Sequence, residues 1–309
     1  MQRFLLVAAA TLFMKFPSFG ATAQSSGSSM KLVLLGTGYP YPDPERAGPS
    51  CAIIVGQKIF IVDAGRGVGL RLARFGNPWR YIEAVFLTHL HSDHYDGLPD
   101  LFHNTWQFGS GKPFELYGPK GTQELSDGIL KFYGPDIHIR RDLTEKLSAE
   151  GAKIDTHIIQ EGVVYEIPGE VRVTAFNVDH APVTPAFGYR FDAGEHSIVV
   201  SGDTRPSPNL IRFAQDVDIL VHEAYAGATA PSDSAAKRPW SIHDYHTSAE
   251  EAGEIAQKAN AKILVLTHLI PGNAPEKEFM DPAKKKFSGK ILVGRDLMIV
   301  EPPVESNQK

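Results

Sequence analysis

The stretch Thr88-His89-Leu90-His91-Ser92-Asp93-His94-Tyr95-Asp96-Gly97 follows directly on the apolar run Ala84-Val85-Phe86-Leu87. A short apolar run of this kind reads as a buried strand, and the polar string as the loop that leaves it. The loop carries three imidazoles and a carboxylate within a few residues. Neutral imidazole with carboxylate is a donor set suited to zinc or a similar first-row ion. Alternation past the strand end lets His89 and His91 point one way while Asp93 and His94 reach a second position, so a pair of metals is expected. A single histidine beside a strand is ordinarily a tip or core residue; H-x-H-x-D-H is denser than a solvated turn requires.

Further chemistry-bearing residues stand at the ends of other apolar segments. Val178-Asp179-His180 ends the alternation Val171–Val178, Ser201-Gly202-Asp203-Thr204 follows Ser197-Ile198-Val199-Val200, and Leu266-Thr267-His268 follows Ile263-Leu264-Val265. Upstream lies Ile59-Phe60-Ile61-Val62-Asp63-Ala64-Gly65. Each candidate sits just past a predicted strand, on the loop side of a sheet. Alone, an Asp in Gly-Asp-Thr is most often a turn former. Together and in this order, the motifs from Asp63 to His268 resemble the metallo-β-lactamase superfamily. That resemblance implies that His89, His91 and His180 hold one metal and Asp93, His94 and His268 the other, with Asp203 between them. It implies that Asp63 steadies a ligand histidine from behind, fixing its tautomer. Two divalent ions are expected, Zn2+ first, with Mn2+ or Fe also compatible with the donors.

Strands predicted from Leu32–Leu35 to Leu297–Val300 alternate with helices predicted over Gly67–Phe75, Leu98–Gln107, Gly121–Phe132, Pro208–Gln215 and Ser248–Asn260. Such a pattern gives two packed sheets covered by helices on both outer faces. The fold class is α/β (α+β), and the resemblance makes it a four-layer αββα metallo-β-lactamase-like sandwich. The charged, weakly periodic segment Gly134–Gln160 is expected as an excursion near the mouth of the site.

The string Gly202-Asp203-Thr204-Arg205-Pro206-Ser207-Pro208-Asn209-Leu210, then Asp218-Ile219-Leu220-Val221-His222-Glu223-Ala224 and His246-Thr247-Ser248-Ala249-Glu250-Glu251-Ala252, resembles ribonuclease Z and its arylsulfatase-like relatives. The resemblance implies that Glu223 orients His246, whose protonated ring can donate to a leaving group. Glu223 ending a strand and His246 preceding a helix cap is the structural alternative. The branch implies a hydrolase cleaving phosphodiesters or aryl sulfates with a hydroxide activated between the metals, Asp93 orienting it. Two departures bear on substrate. Ribonuclease Z enzymes carry a glycine-rich basic arm that grips tRNA, and Gly121–Gln160 shows none. The loop Leu35-Gly36-Thr37-Gly38-Tyr39-Pro40-Tyr41-Pro42-Asp43-Pro44-Glu45-Arg46-Ala47-Gly48-Pro49-Ser50 looks more like the arylsulfatase-like members. A small-molecule or nucleotide ester is therefore the first expectation. A tRNA 3′-processing endoribonuclease, with tRNA as partner, is an alternative. A lactone, thioester or β-lactam hydrolase is another, as is a secreted metal-binding protein without turnover. Trp79, Trp106, Phe108, Tyr133 and Trp240 are candidates for an aromatic wall, or simply for core.

The chain has 309 residues, 42% hydrophobic and 22% charged, a composition ordinary for a globular enzyme. A formal net charge of −5 supplies no global field to gather nucleic acid, and Arg140-Arg141 and Lys284-Lys285-Lys286 read as solvated surface. A single cysteine, Cys51, excludes an intrachain disulfide and any cysteine-based zinc site. Arg3, the apolar run Phe4–Met14 and the small residues Ala21-Thr22-Ala23 read as a signal peptide over residues 1–23. A flexible spacer over 24–30, a hydrolase domain over 31–303 and a tail over 304–309 complete the expected division. Export follows from the leader, and a cytoplasmic location from a start at Met30. The apolar run is too short to span a bilayer, so no membrane partner is expected, whereas a homodimer is compatible with the branch.

Overall fold

The computed structural model describes residues 29–76, 78–227 and 242–303. The expected leader, spacer residues 24–28, Trp240 and the tail over 304–309 lie outside the described residues. The first half runs β1 (Met30–Gly36), β2 (Ser50–Val55), β3 (Lys58–Val62), α1 (Val68–Leu72), β4 (Ile82–Phe86), α2 (Leu98–Phe108), β5 (Phe114–Gly118), α3 (Thr122–His138) and β6 (Ile154–Ile158). The second runs β7 (Gly162–Ile167), β8 (Val171–Asn177), β9 (Phe187–Ala193), β10 (His196–Val200), α4 (Pro208–Phe213), β11 (Ile219–Tyr225), α5 (Ala249–Lys258), β12 (Ile263–Ile270), α6 (Lys277–Lys284), β13 (Lys290–Val293) and β14 (Ile299–Val300). One seven-stranded sheet has the order β14-β1-β2-β3-β4-β5-β6 and the other β13-β12-β11-β10-β9-β8-β7.

Strands covered on both faces read as nearly continuous apolar runs. In β2, Cys51, Ile53 and Val55 turn toward the second sheet, whereas Ala52 and Ile54 turn toward the helices. In β11, Ile219 and Val221 turn inward and Leu220 and Ala224 face α5 and α6. The layer between the sheets is centred on rings, with Phe86 meeting Phe191 edge-on at 5.7 Å and Phe60 meeting Tyr165 at 5.4 Å. Each fully buried large side chain of this kind stabilises the fold by about 1.5–3 kcal/mol. The αββα sandwich expected from the sequence is the architecture found.

Strand direction decides where function can sit. β3 and β4 are parallel, as are β10, β11 and β12, so the loops after them leave at one edge. β2 is antiparallel to both β1 and β3, which brings the β1–β2 loop to that edge as well.

Several local expectations change. The segment over 134–160 is not an excursion: α3 continues to His138, one π-helical turn follows over Ile139–Leu143, and β6 joins the sheet parallel to β5. α6 was not expected from the sequence. Its apolar anchors, Phe279 and Ala283, stand among Lys, Glu and Asp, and the interior Pro282 argues against a helix when only local pattern is read. Trp79 and Trp106 are buried in the core between the first sheet and its helices, and Tyr133 packs against that core and stacks on His103. Phe108 is exposed at the end of α2. The expected aromatic wall is therefore core and surface. Among the described residues no helix is long and apolar enough to cross a membrane.

Candidate metal centre

The loop after β4 holds its side chains in place with the backbone of its neighbours. Asp63, the first residue after β3, adopts φ 58°, and its carboxylate accepts from Thr88 N at 2.8 Å and from Thr88 Oγ1 at 2.9 Å. The same carboxylate pairs with His94 Nδ1 at 2.8 Å, which leaves His94 Nε2 facing the centre. His94 is thus the histidine that Asp63 steadies. Thr88 Oγ1 lies 3.0 Å from His89 Nδ1, directing His89 Nε2 inward in the same way. Gly65 admits the turn because a Cβ there would meet Pro49 N at 2.6 Å and Asp93 O at 2.7 Å.

The second half delivers its groups singly. His180 Nδ1 donates to the Tyr245 carbonyl at 2.9 Å and presents Nε2. Asp203 follows Gly202, whose φ of 63° and 2.7 Å approach of a would-be Cβ to Phe187 O require glycine. His268 continues β12 at φ 44°. Left-handed backbone at two non-glycine residues, Asp63 and His268, costs on the order of 1–3 kcal/mol each and is tolerated where packing over-determines it.

Three ring nitrogens converge. His91 Nδ1 lies 3.0 Å from His89 Nε2 and 3.2 Å from His180 Nε2. One shared nitrogen cannot satisfy two others by ordinary hydrogen bonding. Donors about 2.0–2.1 Å from one tetrahedral ion stand roughly 3.3 Å apart, close to these spacings. On the other side His268 Nε2 lies 3.4 Å from both Asp93 Oδ2 and Asp203 Oδ2. Asp203 Oδ2 is also 3.2 Å from His94 Nε2 and 3.8 Å from His89 Nε2, between the two groups. His89, His94, His180, Asp93, Asp203 and His268 are buried and His91 is half-buried. Asp93 Oδ2 and both His268 ring nitrogens are buried with no hydrogen-bond partner. Orphaned atoms of this kind cost about 1–3 kcal/mol each unless something coordinates them. The donor set fits divalent metal, and among the described residues three groups of donors lie close together: His89/His91/His180/Asp203, Asp93/His94/His268 and Asp203/His246/His268.

Electrostatics agree. Burial, reinforced by the neighbouring His94, holds His89 well below the usual histidine range, and burial takes His180 down to about 4. Both rings are therefore neutral ligands in waiting. Burial would also lower His94 and His268, but Asp203 with Asp63 lifts the first well above its ordinary value, and Asp203 with Asp93 lifts the second to about 9. Burial acts to raise Asp203, yet His268 and His94 outweigh it and keep the carboxylate ionised. The second cluster thus concentrates negative charge where a cation can replace protons.

Beside the cluster, both Glu223 oxygens meet His246 Nδ1, at 2.8 and 2.9 Å, and Glu223 Oε1 accepts from Thr204 N at 2.8 Å. Burial raises Glu223 and the His246 ring partly offsets it. Glu223 thus fixes the ring through Nδ1 and leaves His246 Nε2 as the atom able to give or take a proton. The ring lies parallel to His268, with centroids 5.5 Å apart. His246 also forms a triangle with Asp203 and His268, but Glu223 occupies its Nδ1. Every sequence-predicted site residue is in this one cluster. Sequence reasoning missed Thr88, which holds Asp63 and His89, Thr204, which holds Glu223, and the Tyr245 carbonyl. The two threonines adjoin the motif residues, but the carbonyl has no sequence signal.

The Arg140-Arg141 pair supplies no free basic surface, since Arg140 bonds to Asp136 and Glu145 and Arg141 to Asp142.

Comparison with known proteins gives three findings. A family model described as beta-lactamase superfamily domain matches residues 59–269. Ribonuclease Z of Mycobacterium bovis (strain BCG / Pasteur 1173P2) is 38% identical over 281 residues, covering 88% of this chain and 98% of that protein. Among solved structures, the metallo-beta-lactamase fold protein YhfI from Bacillus subtilis superposes with a TM-score of 0.69 at 24% identity, covering 88% of this chain and 99% of that one. The short form of human tRNase Z does so at 0.66 and 22%, covering 89% and 100%.

Proposed function

The chain belongs to the metallo-β-lactamase superfamily, in its ribonuclease Z branch, and is a metal-dependent hydrolase; from that premise we propose that it is a ribonuclease Z-type endonuclease hydrolysing a phosphodiester of RNA. The observation that carries the reading is the Glu223–His246 pair beside the metal cluster, in a chain that matches ribonuclease Z nearly end to end. Ranked on sequence alone, small phosphate and sulfate esters came before tRNA, and the relatives reverse that order.

In this proposal His89, His91 and His180 would hold one divalent ion and Asp93, His94 and His268 the second, with Asp203 lying between the two sets of donors. When bound, such a pair supplies a water acidic enough to attack at neutral pH and neutralises charge on the phosphoryl oxygens. Asp93 would give Oδ2, unpartnered in the protein, to the ion, and its other carboxylate oxygen would orient the attacking water and accept its proton. His246 Nε2 donates to the departing ribose oxygen, and Glu223, bonded to Nδ1, keeps the ring aimed while it does so. A poor leaving group such as an alkoxide gains most from that donation. Lactone or β-lactam opening has less need of a fixed acid, which places the dyad on the side of phosphodiesters.

The test compares purified protein on a 3′-extended precursor tRNA, bis(p-nitrophenyl) phosphate and an aryl sulfate, with metal content measured. Precursor cleavage at one site supports the reading; intact precursor alongside rapid sulfate hydrolysis overturns it. We also propose that the leader directs export with cleavage after Ala23. Mass spectrometry of protein from the native host checks this: a chain starting at Gln24 supports export, and one starting at Met30 in the cytoplasm overturns it. An exported enzyme meets RNA outside the cytoplasm, so this measurement also narrows which RNA is cut.

A further inference from the structure

We propose that Tyr39 and Tyr41, at the tip of the β1–β2 loop, form a stacking platform for an unpaired nucleobase next to the scissile phosphodiester. The proposal rests on the RNA reading above and deepens it. The loop over 36–50 leaves the sheet at the edge that carries the metal cluster. Thr37 O accepts from Leu269 N at 3.0 Å, one residue past His268, and Gly48 N donates to Arg66 O at 2.9 Å, in the turn after Asp63. The two feet of the loop therefore stand beside the two stretches of chain that bring His268 and Asp63 to the centre.

The feet of the loop are held firmly. Asp296 accepts from Thr37 N at 3.0 Å, Thr37 Oγ1 at 2.8 Å, Ala47 N at 2.7 Å and Arg71 Nε at 2.8 Å. Arg46 donates to Gly272 O and Gly294 O, both at 2.9 Å, and to Thr37 Oγ1 at 2.6 Å. Above these feet the sequence is Tyr39-Pro40-Tyr41-Pro42-Asp43-Pro44, in which every second residue has φ fixed by its ring. So much buried anchoring beneath an exposed tip is not needed to close a loop; it serves to present the tip in one conformation.

What the tip presents is aromatic. The rings of Tyr39 and Tyr41 are stacked, with centroids 6.4 Å apart and planes at 28°, and Tyr41 is 71% exposed. The tip is not a phosphate site. Arg46 Nε and Nη1 are committed below it, and Asp43 and Glu45 flank the rings with negative charge. A flat, uncharged ring is what this surface accepts. Base stacking on aromatic side chains tolerates any base, and a pre-set tyrosine loses little side-chain freedom on binding.

The experiment uses the metal-loaded protein and a short 3′-extended RNA, with single abasic nucleotides placed in turn at the two positions on each side of the cleaved bond. Tyr41→Ala and Tyr39→Ala are expected to raise KM by about 5- to 150-fold, with kcat and metal content unchanged. Tyr41→Phe restores the wild-type KM. At one abasic position wild type and Tyr41→Ala become equal, which identifies the base that stacks. A KM that is unchanged, or that rises equally on every abasic substrate, overturns the platform. Should the wild-type protein cleave no RNA, the ribonuclease reading falls by itself. The platform is then judged by adenosine 5′-monophosphate inhibition of bis(p-nitrophenyl) phosphate hydrolysis: a Ki raised by Tyr41→Ala supports it, and an unchanged Ki overturns it.

Discussion

The two halves of the sandwich build the same centre by opposite means. From the first sheet come His89, His91, Asp93 and His94, all on one loop after β4, with Asp63 bracing them from the end of β3. From the second come His180, Asp203, Glu223 and His268, each at a different strand end, with His246 ahead of α5. The first half is a local device, set by a few consecutive residues and their hydrogen bonds to Thr88. The second exists only when parallel strands β10, β11 and β12 lie side by side in register. Asp203 is where the two constructions meet, reaching His89 and His94 of one half and His268 of the other.

The largest effect tests that meeting point. Asp203→Ala is expected to abolish turnover and lower metal below one equivalent per chain, whereas His89→Ala and His180→Ala lower it toward one. Elemental analysis measures this, and two equivalents retained in Asp203→Ala would show that the halves bind independently. Next in size is His246→Ala, which leaves metal content intact while turnover falls by about 10²- to 10⁴-fold. The loss should be large for a ribose leaving group and small for nitrophenolate; an equal loss on both would make His246 a pocket-shaping residue instead. Asp63→Ala removes only the brace within the first half and is expected to weaken metal affinity about 10- to 100-fold. A chelator competition titration reads that change, and an unaltered affinity would mean the loop is rigid without Asp63.

The smallest expected effect concerns the apoprotein. His268 is raised from the usual histidine value to about 9 by Asp203 and Asp93, against burial. A raised histidine contributes its stability in full below the unfolded value of about 6.5 and loses it as pH climbs through the folded value. Stripped of metal, the protein should therefore lose thermal stability between about pH 6.5 and 9, while metal affinity rises across the same window because the ring becomes free to coordinate. Thermal melts with and without chelator compare the two, and an apoprotein that grows more stable toward pH 9 would contradict the ion pairs drawn here.

How much of this the sequence disclosed follows the same division. The loop after β4 could be read directly, since spacing within one loop is spacing in space. His180, Asp203, Glu223, His246 and His268 could be placed together only through resemblance, because nothing in their separation along the chain states which strands adjoin. β6 escaped notice because an edge strand with one half-wet face, Ile154-Asp155-Thr156-His157-Ile158, has no continuous apolar signature. α6 escaped because two anchors and an internal proline form a weak period. The aromatic wall was misjudged because Trp79 and Trp106 cannot be assigned to the inside or the mouth of a sandwich until its layers are known.

Asp296 closes a circle whose consequence is one of timing. The loop it fastens stands near the beginning of the domain, yet the carboxylate arrives only after β13, just before β14 pairs with β1. A nascent chain emerging from the ribosome has every candidate metal ligand in hand by residue 268, and still lacks the clasp that sets its opening loop. Domains acquire their structure as units, and here a late segment of the domain completes an early one.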